Sequence, residues 1–125
     1  MKHLVFVYGT LLSNGSRPAA EVFGATVLEK GWVIGRLYDL GWYPGYKPEA
    51  NIDAAVAPKV FGELIEIDSL DRLDAYEGYP ALYDRQKVWV HTPTDLHEAW
   101  IYIYNHEVGA DMRIPSGSWS ERELA

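Results

Sequence analysis

Two glycines interrupt one long strand-like run in this sequence. Between residues 25 and 40, apolar side chains alternate imperfectly around Gly31 and Gly35. Imperfect alternation with internal glycines is typical of a strand that bends or carries a bulge. Because a long bent strand suits a curved sheet better than a flat one, we predict a barrel rather than an open sheet.

Shorter runs predict the remaining elements of a single α+β domain over residues 1–125. Residues 41–48 are rich in turn-forming and aromatic residues and are expected to form a loop. Further strands are expected over residues 4–8, 51–57, 60–67, 83–92 and 98–105, and a short helix over residues 18–23.

One helix is signalled more clearly than the other. Asp68 or Ser69 is suited to cap its first turn, and Gly78 is suited to end it. Between them, apolar side chains recur at helical spacing at Leu70, Leu73 and Tyr76.

Composition excludes several classes of function. The chain has 125 residues, a net charge of −7 and no cysteine. Its scattered cations argue against a nucleic-acid partner, and the lack of cysteine removes thiolate nucleophiles and cysteine-ligated metal sites. No apolar run is long enough to cross a membrane, so we expect a cytoplasmic protein with no membrane partner.

Common cofactor and nucleophile motifs are missing. The sequence has no Gly-x-Gly, no P-loop and no Gly-x-Ser-x-Gly, and its four histidines do not fall at metal-ligand spacing. We therefore expect no metal and no cofactor.

The first candidate site is the turn Tyr8-Gly9-Thr10-Leu11, directly after the first predicted strand. Such a turn can aim consecutive backbone N–H groups into one concavity and bind an anion without a cationic side chain. Gly9 permits the left-handed or closely approached backbone that this requires. The alternative is an ordinary turn that ends a strand.

Glu77 is the second candidate. It falls in the last turn of the clearer helix, where the helix dipole disfavours a carboxylate, and tyrosines at 76, 79 and 83 surround it in sequence. Partial burial there is expected to raise its pKa toward neutrality, as suits a group that takes and returns a proton. The alternative is a solvated glutamate at a frayed helix end.

Together these features resemble the γ-glutamylcyclotransferase-like (AIG2-like) superfamily. The resemblance rests on an ordered series of short motifs over nearly the whole chain. They are Tyr8-Gly9-Thr10-Leu11, Leu37-Tyr38-Asp39-Leu40-Gly41, Tyr43-Pro44-Gly45, Leu73-Asp74-x-x-Glu77-Gly78, Tyr83-x-Arg85, Val88-x-Val90 and Trp100-x-Tyr102-x-Tyr104.

The resemblance implies a small mixed β-barrel with a few short helices and a central cavity. It also implies that the backbone of Tyr8, Gly9, Thr10 and Leu11 holds the α-carboxylate of a small-molecule γ-glutamyl substrate, and that Glu77 is the acid/base. The implied reaction is cofactor-independent release of 5-oxoproline, of lyase or transferase type.

Three further positions stay open. Arg85 either orients Glu77 or pairs with substrate, or it is an ordinary surface arginine on a strand. Tyr104 either hydrogen-bonds substrate or is a core aromatic residue. The loop Trp42-Tyr43-Pro44 is a candidate wall of the cavity.

Two other functions are compatible with the same residues. One is a non-catalytic module that binds a carboxylate or γ-glutamyl ligand, and the other is an interaction protein with a vestigial pocket. The sequence does not identify the leaving amine, which is open between a free amino acid, a lysine side chain, a polyamine and a small-molecule intermediate, and it does not indicate an oligomeric state.

Overall fold

The computed structural model describes residues 2–49, 53 and 55–122. Seven strands and two short helices account for most of this part of the chain. In chain order they are β1 (His3–Val7), α1 (Ala19–Phe23), β2 (Thr26–Ile34), β3 (Arg36–Asp39), β4 (Pro44–Lys47), β5 (Lys59–Ile67), α2 (Asp71–Glu77), β6 (Tyr83–His91) and β7 (Leu96–Tyr104). Two single 3₁₀ turns follow, at Ala110–Met112 and Trp119–Glu121.

Five strands close into a barrel in the order β1-β5-β2-β6-β7. The β1–β7 pairing that closes it is parallel, and the other pairings are antiparallel. Strands β3 and β4 form a separate two-stranded sheet. The predicted α+β class and small mixed barrel are therefore confirmed.

The run over residues 25–40 is two strands, not the single bent strand that we predicted. The two strands are separated by Gly35, whose φ of 152° is one that residues other than glycine rarely adopt. A Cβ at this position would lie 2.3 Å from the ring of Tyr46. Gly31 stays within β2, and the register irregularity in that strand falls between Val27 and Glu29. The close approach of Tyr46 thus leaves no room for a side chain at the residue where the two strands separate.

Two other predicted elements differ from the structure. The loop expected over residues 41–48 contains β4, which pairs with β3 through contacts such as Tyr38 with Gly45. In the edge strand expected over residues 51–57, positions 51, 52 and 54 lie outside the described residues, and residues 55–57 form a turn and a bend instead of a strand. Local propensity does not reveal β4, because this strand forms by pairing with β3, which lies outside the segment 41–48.

Helix α2 forms where it was predicted, but neither predicted residue caps it. Its N-cap is Leu70, which makes no side-chain cap hydrogen bond. Ser69, one residue earlier, accepts a hydrogen bond from the Asp71 N–H at 3.2 Å, and Asp68 pairs with Lys2. Leu73 is fully buried in the core, and Gly78 ends the helix with a left-handed φ of 67°. The core contact of Leu73 sets the rotation of the helix and so the direction of its last turn.

Within the described residues, no helix has the length and apolar character needed to span a membrane. The core is instead formed by barrel side chains, with Val5, Val33, Val60, Ile65, Val90 and Ile101 fully buried.

Candidate active site

A cavity of about 420 Å³ opens beside the end of β1. The turn after β1, the loop before β4, the end of α2 and the start of β6 supply its walls. The lining residues are Phe6, Val7, Tyr8, Gly9, Thr10, Leu11, Ser16, Arg17, Trp42, Tyr43, Pro44, Tyr76, Glu77, Leu82, Tyr83 and Tyr102. Both sequence candidates, the turn of residues 8–11 and Glu77, therefore face one space.

The turn after β1 presents unused backbone donors. The carbonyls of Gly9, Thr10 and Leu11 accept hydrogen bonds from the N–H groups of Leu12, Arg17 and Ala19, at 3.1, 2.9 and 3.0 Å. Within the described part of the chain, the N–H groups of Gly9, Thr10 and Leu11 donate no hydrogen bond. Three consecutive free amides beside a cavity form a site suited to an anion.

Gly9 is required by close approach and not by a left-handed backbone. Its φ lies outside the left-handed region, but a Cβ at this position would lie 2.4 Å from Cγ and 2.6 Å from Cδ of Pro44. The absence of a side chain at Gly9 thus lets the loop before β4 pack against the turn after β1.

The Glu77 carboxyl is partly buried at the end of α2. Among the described residues it has no hydrogen-bond or ion-pair partner. Burial raises the pKa of Glu77 to about 7 because the charged form loses hydration without a compensating donor. A carboxyl of this kind exchanges a proton readily near neutral pH.

Tyrosine hydroxyls line the same space and are held in place by hydrogen bonds. Tyr8 donates to the carbonyl of Tyr102 at 2.7 Å, and Tyr83 donates to the carbonyl of Pro44 at 2.6 Å. Burial, with the nearby negative charge of Glu77, raises the pKa of both Tyr8 and Tyr83 well above the usual range. Both therefore stay protonated and serve as fixed neutral walls.

A further hydrogen bond joins the turn after β1 to α2. The hydroxyls of Thr10 and Tyr76 lie 3.0 Å apart. This contact links the residue that supplies a free amide to the last turn of the helix that carries Glu77, so the two halves of the candidate site are held together.

Arg85 does not line the cavity, so direct pairing with a ligand there is not supported. Its guanidinium donates to both carboxylate oxygens of Asp74, at 2.9 and 3.2 Å, and it lies over the rings of Tyr79 and Trp100. Tyr102 also donates to Asp74, at 2.7 Å. Because Asp74 precedes Glu77 by one helical turn, these contacts tie the helix end to β6 and β7.

Tyr104 also lies outside the cavity wall. Its ring packs against Tyr83 at 5.4 Å, and its carbonyl accepts a hydrogen bond from Lys47 Nζ at 2.7 Å. Of its two interpretations, the structure favours an aromatic packing residue. Trp42, Tyr43 and Pro44, in contrast, do line the cavity as suggested.

Sequence reasoning missed Ser16 and Arg17 as cavity residues. Both lie in the loop between β1 and α1, where the sequence shows only a cluster of turn-forming residues. Tyr83 was predicted only as a neighbour of Glu77 in sequence, and Tyr102 only as part of the resemblance. Neither was predicted to line the cavity, because a strand tyrosine carries no local signal of the cavity that it faces.

Across the described residues, no group of three or more histidine, aspartate or glutamate side chains converges as metal ligands do. The polar groups of the cavity are instead free amides, hydroxyls, one carboxyl and one guanidinium. The fold and site thus define a small barrel protein whose cavity brings free backbone amides and a partly buried carboxyl together.

Comparison with known proteins identifies the family. Residues 5–121 match the family described as "Gamma-glutamyl cyclotransferase, AIG2-like". The chain belongs to this family.

Two relatives support the assignment over nearly their full length. A Vibrio cholerae protein, named only provisionally as a gamma-glutamylcyclotransferase, is 34% identical to this chain. The aligned region covers 98% of this chain and 99% of the Vibrio cholerae protein. The gamma-glutamylcyclotransferase family protein YtfP of Escherichia coli is 30% identical and covers 95% of this chain and 97% of its own.

Solved structures share the fold. YkqA from Bacillus subtilis superimposes with a TM-score of 0.75 at 25% identity over 99% of this chain, which spans 42% of that longer chain. A mouse AIG2-like protein superimposes with a TM-score of 0.69 at 23% identity, covering 89% of this chain and 82% of its own.

Proposed function

We propose that this protein is a γ-glutamylcyclotransferase-type enzyme that releases 5-oxoproline from a γ-glutamyl amine or γ-glutamyl amino acid. The observation that carries the proposal is the meeting of an unpaired, partly buried Glu77 carboxyl with three free backbone amides in one cavity. Family membership and the names of the relatives support the same activity.

The free amides of Gly9, Thr10 and Leu11 suit the α-carboxylate of the glutamyl group. This assignment also explains how a chain with a net charge of −7 accommodates an anionic ligand. Recognition by backbone dipoles needs no cluster of lysine and arginine.

Glu77 then acts on the α-ammonium at the same end of the substrate. Its ionised carboxylate accepts one proton, and the freed amine attacks the γ-carbonyl carbon of its own glutamyl group. A new C–N bond closes the five-membered lactam. As the original amide C–N bond breaks, Glu77 returns this proton to the departing nitrogen, and the extra proton on the ring nitrogen passes to the departing nitrogen as well. The products are a neutral lactam and an amine released in its ammonium form, so no other reactant is consumed.

The walls of the cavity contribute by restricting the flexible glutamyl chain. Closure is intramolecular, and correct orientation of reacting groups contributes as much as about 7–11 kcal/mol in favourable cases. The fixed rings of Tyr8 and Tyr83 and the loop at Pro44 form a rigid surface against which the chain can fold.

A panel of γ-glutamyl compounds, assayed for 5-oxoproline, tests the proposal. We expect turnover by the wild type and a loss of about 10²- to 10⁴-fold in Glu77→Gln, since removal of a general acid/base has effects of that size. Glu98→Gln is a matched control, because Glu98 is exposed on β7 and does not line the cavity.

Two outcomes would point elsewhere. Equal turnover by the wild type and Glu77→Gln would refute the catalytic role of Glu77. Thermal stabilisation by γ-glutamyl compounds without any 5-oxoproline would indicate the binding module instead.

A further inference from the structure

We propose that Arg17 selects substrates whose leaving amine carries a negatively charged group, such as the carboxylate of an amino acid. This inference rests on the proposed function, since it names the half of the substrate that lies beyond the glutamyl group. It would make Arg17 a specificity-determining residue.

Charge in the cavity is divided between two side chains. Among the described residues that line the cavity, Glu77 is the one acidic group and Arg17 the one basic group. The two differ in depth, because Glu77 is partly buried and Arg17 is exposed. The cavity therefore offers a carboxyl further inside and a guanidinium at its rim.

Arg17 is available to a ligand. Within the described residues, no ion pair or side-chain hydrogen bond involves its guanidinium, which lies over the ring of Tyr76 with Cζ 5.6 Å from the ring centroid. A guanidinium that lies over an aromatic ring keeps its N–H groups free at the edges, where they can bind a carboxylate through two hydrogen bonds.

The backbone of Arg17 is held by the anion-binding turn itself. Its N–H donates to the Thr10 carbonyl at 2.9 Å, and Tyr76, which its side chain contacts, bonds to the Thr10 hydroxyl. The same loop is anchored at Ser13, whose N–H donates to buried Glu63 at 2.8 Å. The backbone that carries Arg17 is thus held in a hydrogen-bonded loop beside the free amides.

The two ends of a γ-glutamyl substrate differ in their chemistry. The α-carboxylate and α-ammonium lie at one end of a γ-glutamyl group, and the leaving amine lies at the other end. Gly9 and Leu11 are buried and Glu77 is partly buried, whereas Arg17 is exposed. If the amides and Glu77 hold the first end, our proposal therefore places the leaving amine toward the rim, beside Arg17. A carboxylate there would be attracted, whereas a polyamine would be repelled.

Two substrates that differ in one group test the inference. γ-Glutamylalanine and γ-glutamylethylamide share the glutamyl group and the amide bond, but only the first has a carboxylate on its leaving amine. We expect the wild type to prefer γ-glutamylalanine about 5- to 10-fold in kcat/KM, as suits a charge-assisted contact that is partly open to solvent.

Substitution of Arg17 should remove this preference. Arg17→Gln is expected to lower kcat/KM for γ-glutamylalanine by about the same 5- to 10-fold, and for the ethylamide by much less. Arg17→Glu should favour γ-glutamyl-1,4-diaminobutane over γ-glutamylalanine. Arg113→Gln is the control, because Arg113 is also exposed but does not line the cavity.

The outcomes separate this inference from the proposed function. An equal loss for both substrates in Arg17→Gln would overturn it, because Arg17 would then bind the glutamyl half. If the wild type releases no 5-oxoproline, the proposed function fails, and calorimetric Kd values for the two compounds decide the inference. A carboxylate preference that Arg17→Gln abolishes would support it, and equal or absent binding would overturn it.

Discussion

Arg85 donates two hydrogen bonds to Asp74, which lies three residues before Glu77 on α2. The Asp74 carboxylate also accepts a hydrogen bond from the Tyr102 hydroxyl, and its hydrogen bonds with Arg85 raise the pKa of that guanidinium above its usual range. A carboxylate that satisfies donors from β6 and β7 fixes the end of α2 against the barrel. Asp74 and Arg85 do not line the cavity, but their contact helps to fix the position of Glu77.

Asp74→Ala should destabilise the protein by about 1.5–3 kcal/mol, because it leaves the Arg85 guanidinium and the Tyr102 hydroxyl without their acceptor. Urea unfolding measures this change. We also expect kcat/KM for 5-oxoproline release to fall, since the last turn of α2 loses its connection to the sheet. Asp71→Ala, on the same helix but exposed, is the control and should change both quantities little.

The most local features of the chain were the most predictable. The turn after β1 and the helix ended by Gly78 have start and stop signals within a few residues, so their place in sequence indicates their place in the structure. Contacts between distant segments carried no such signal. The ring of Tyr46 lies where a side chain at residue 35 would be. The hydrogen bonds from Arg85 to Asp74 form because α2 packs against β6.

The cavity position of Arg17 shows the same limit at the site itself. Its loop follows a path set by the carbonyl of Thr10 and by Glu63, which lies 50 residues from Ser13 in sequence. A cluster of turn-forming residues predicts a loop but not which of its side chains faces the ligand.

The contact between Gly9 and Pro44 yields a prediction with its own internal control. Gly9→Ala should destabilise the protein by about 1–3 kcal/mol, because the added methyl would overlap Cγ and Cδ of Pro44. Those two atoms are missing in Pro44→Ala. In a double-mutant cycle measured by urea unfolding, the double variant should be more stable than the sum of the single changes predicts. Strict additivity would show that Gly9 is needed for another reason.

The pH dependence of turnover should report Glu77. If the ionised carboxylate is the base, kcat/KM should fall about tenfold per pH unit below an apparent pKa of about 7. Rates from pH 5 to 9 measure this limb. Because kcat/KM reflects the free enzyme and free substrate, the limb should have the same midpoint for substrates with different leaving amines. A midpoint near 4.5 would mean that the titrating carboxyl keeps its ordinary pKa and that burial does not raise the pKa of Glu77.

The raised pKa of Glu77 also predicts how stability changes with pH. Its pKa is about 7 in the folded protein against 4.5 for the ordinary carboxyl, so the folded state favours the protonated form. Stability from this group is full below about pH 4.5 and declines as the pH rises to about 7. Glu77→Gln, which carries no charge, should therefore match the wild type near pH 4.5 and exceed it at pH 8.

We expect a gain of about 1–2 kcal/mol at pH 8, less than the full pKa difference implies, because part of the Glu77 side chain reaches solvent through the cavity. Thermal unfolding of both proteins at pH 4.5, 6 and 8 measures it, with Glu98→Gln as the exposed counterpart that should show no such trend. A Glu77→Gln variant that is less stable than the wild type at pH 8 would mean that the carboxylate has a stabilising partner in the fold. The same side chain would then be structural, and its low hydration would not serve proton transfer.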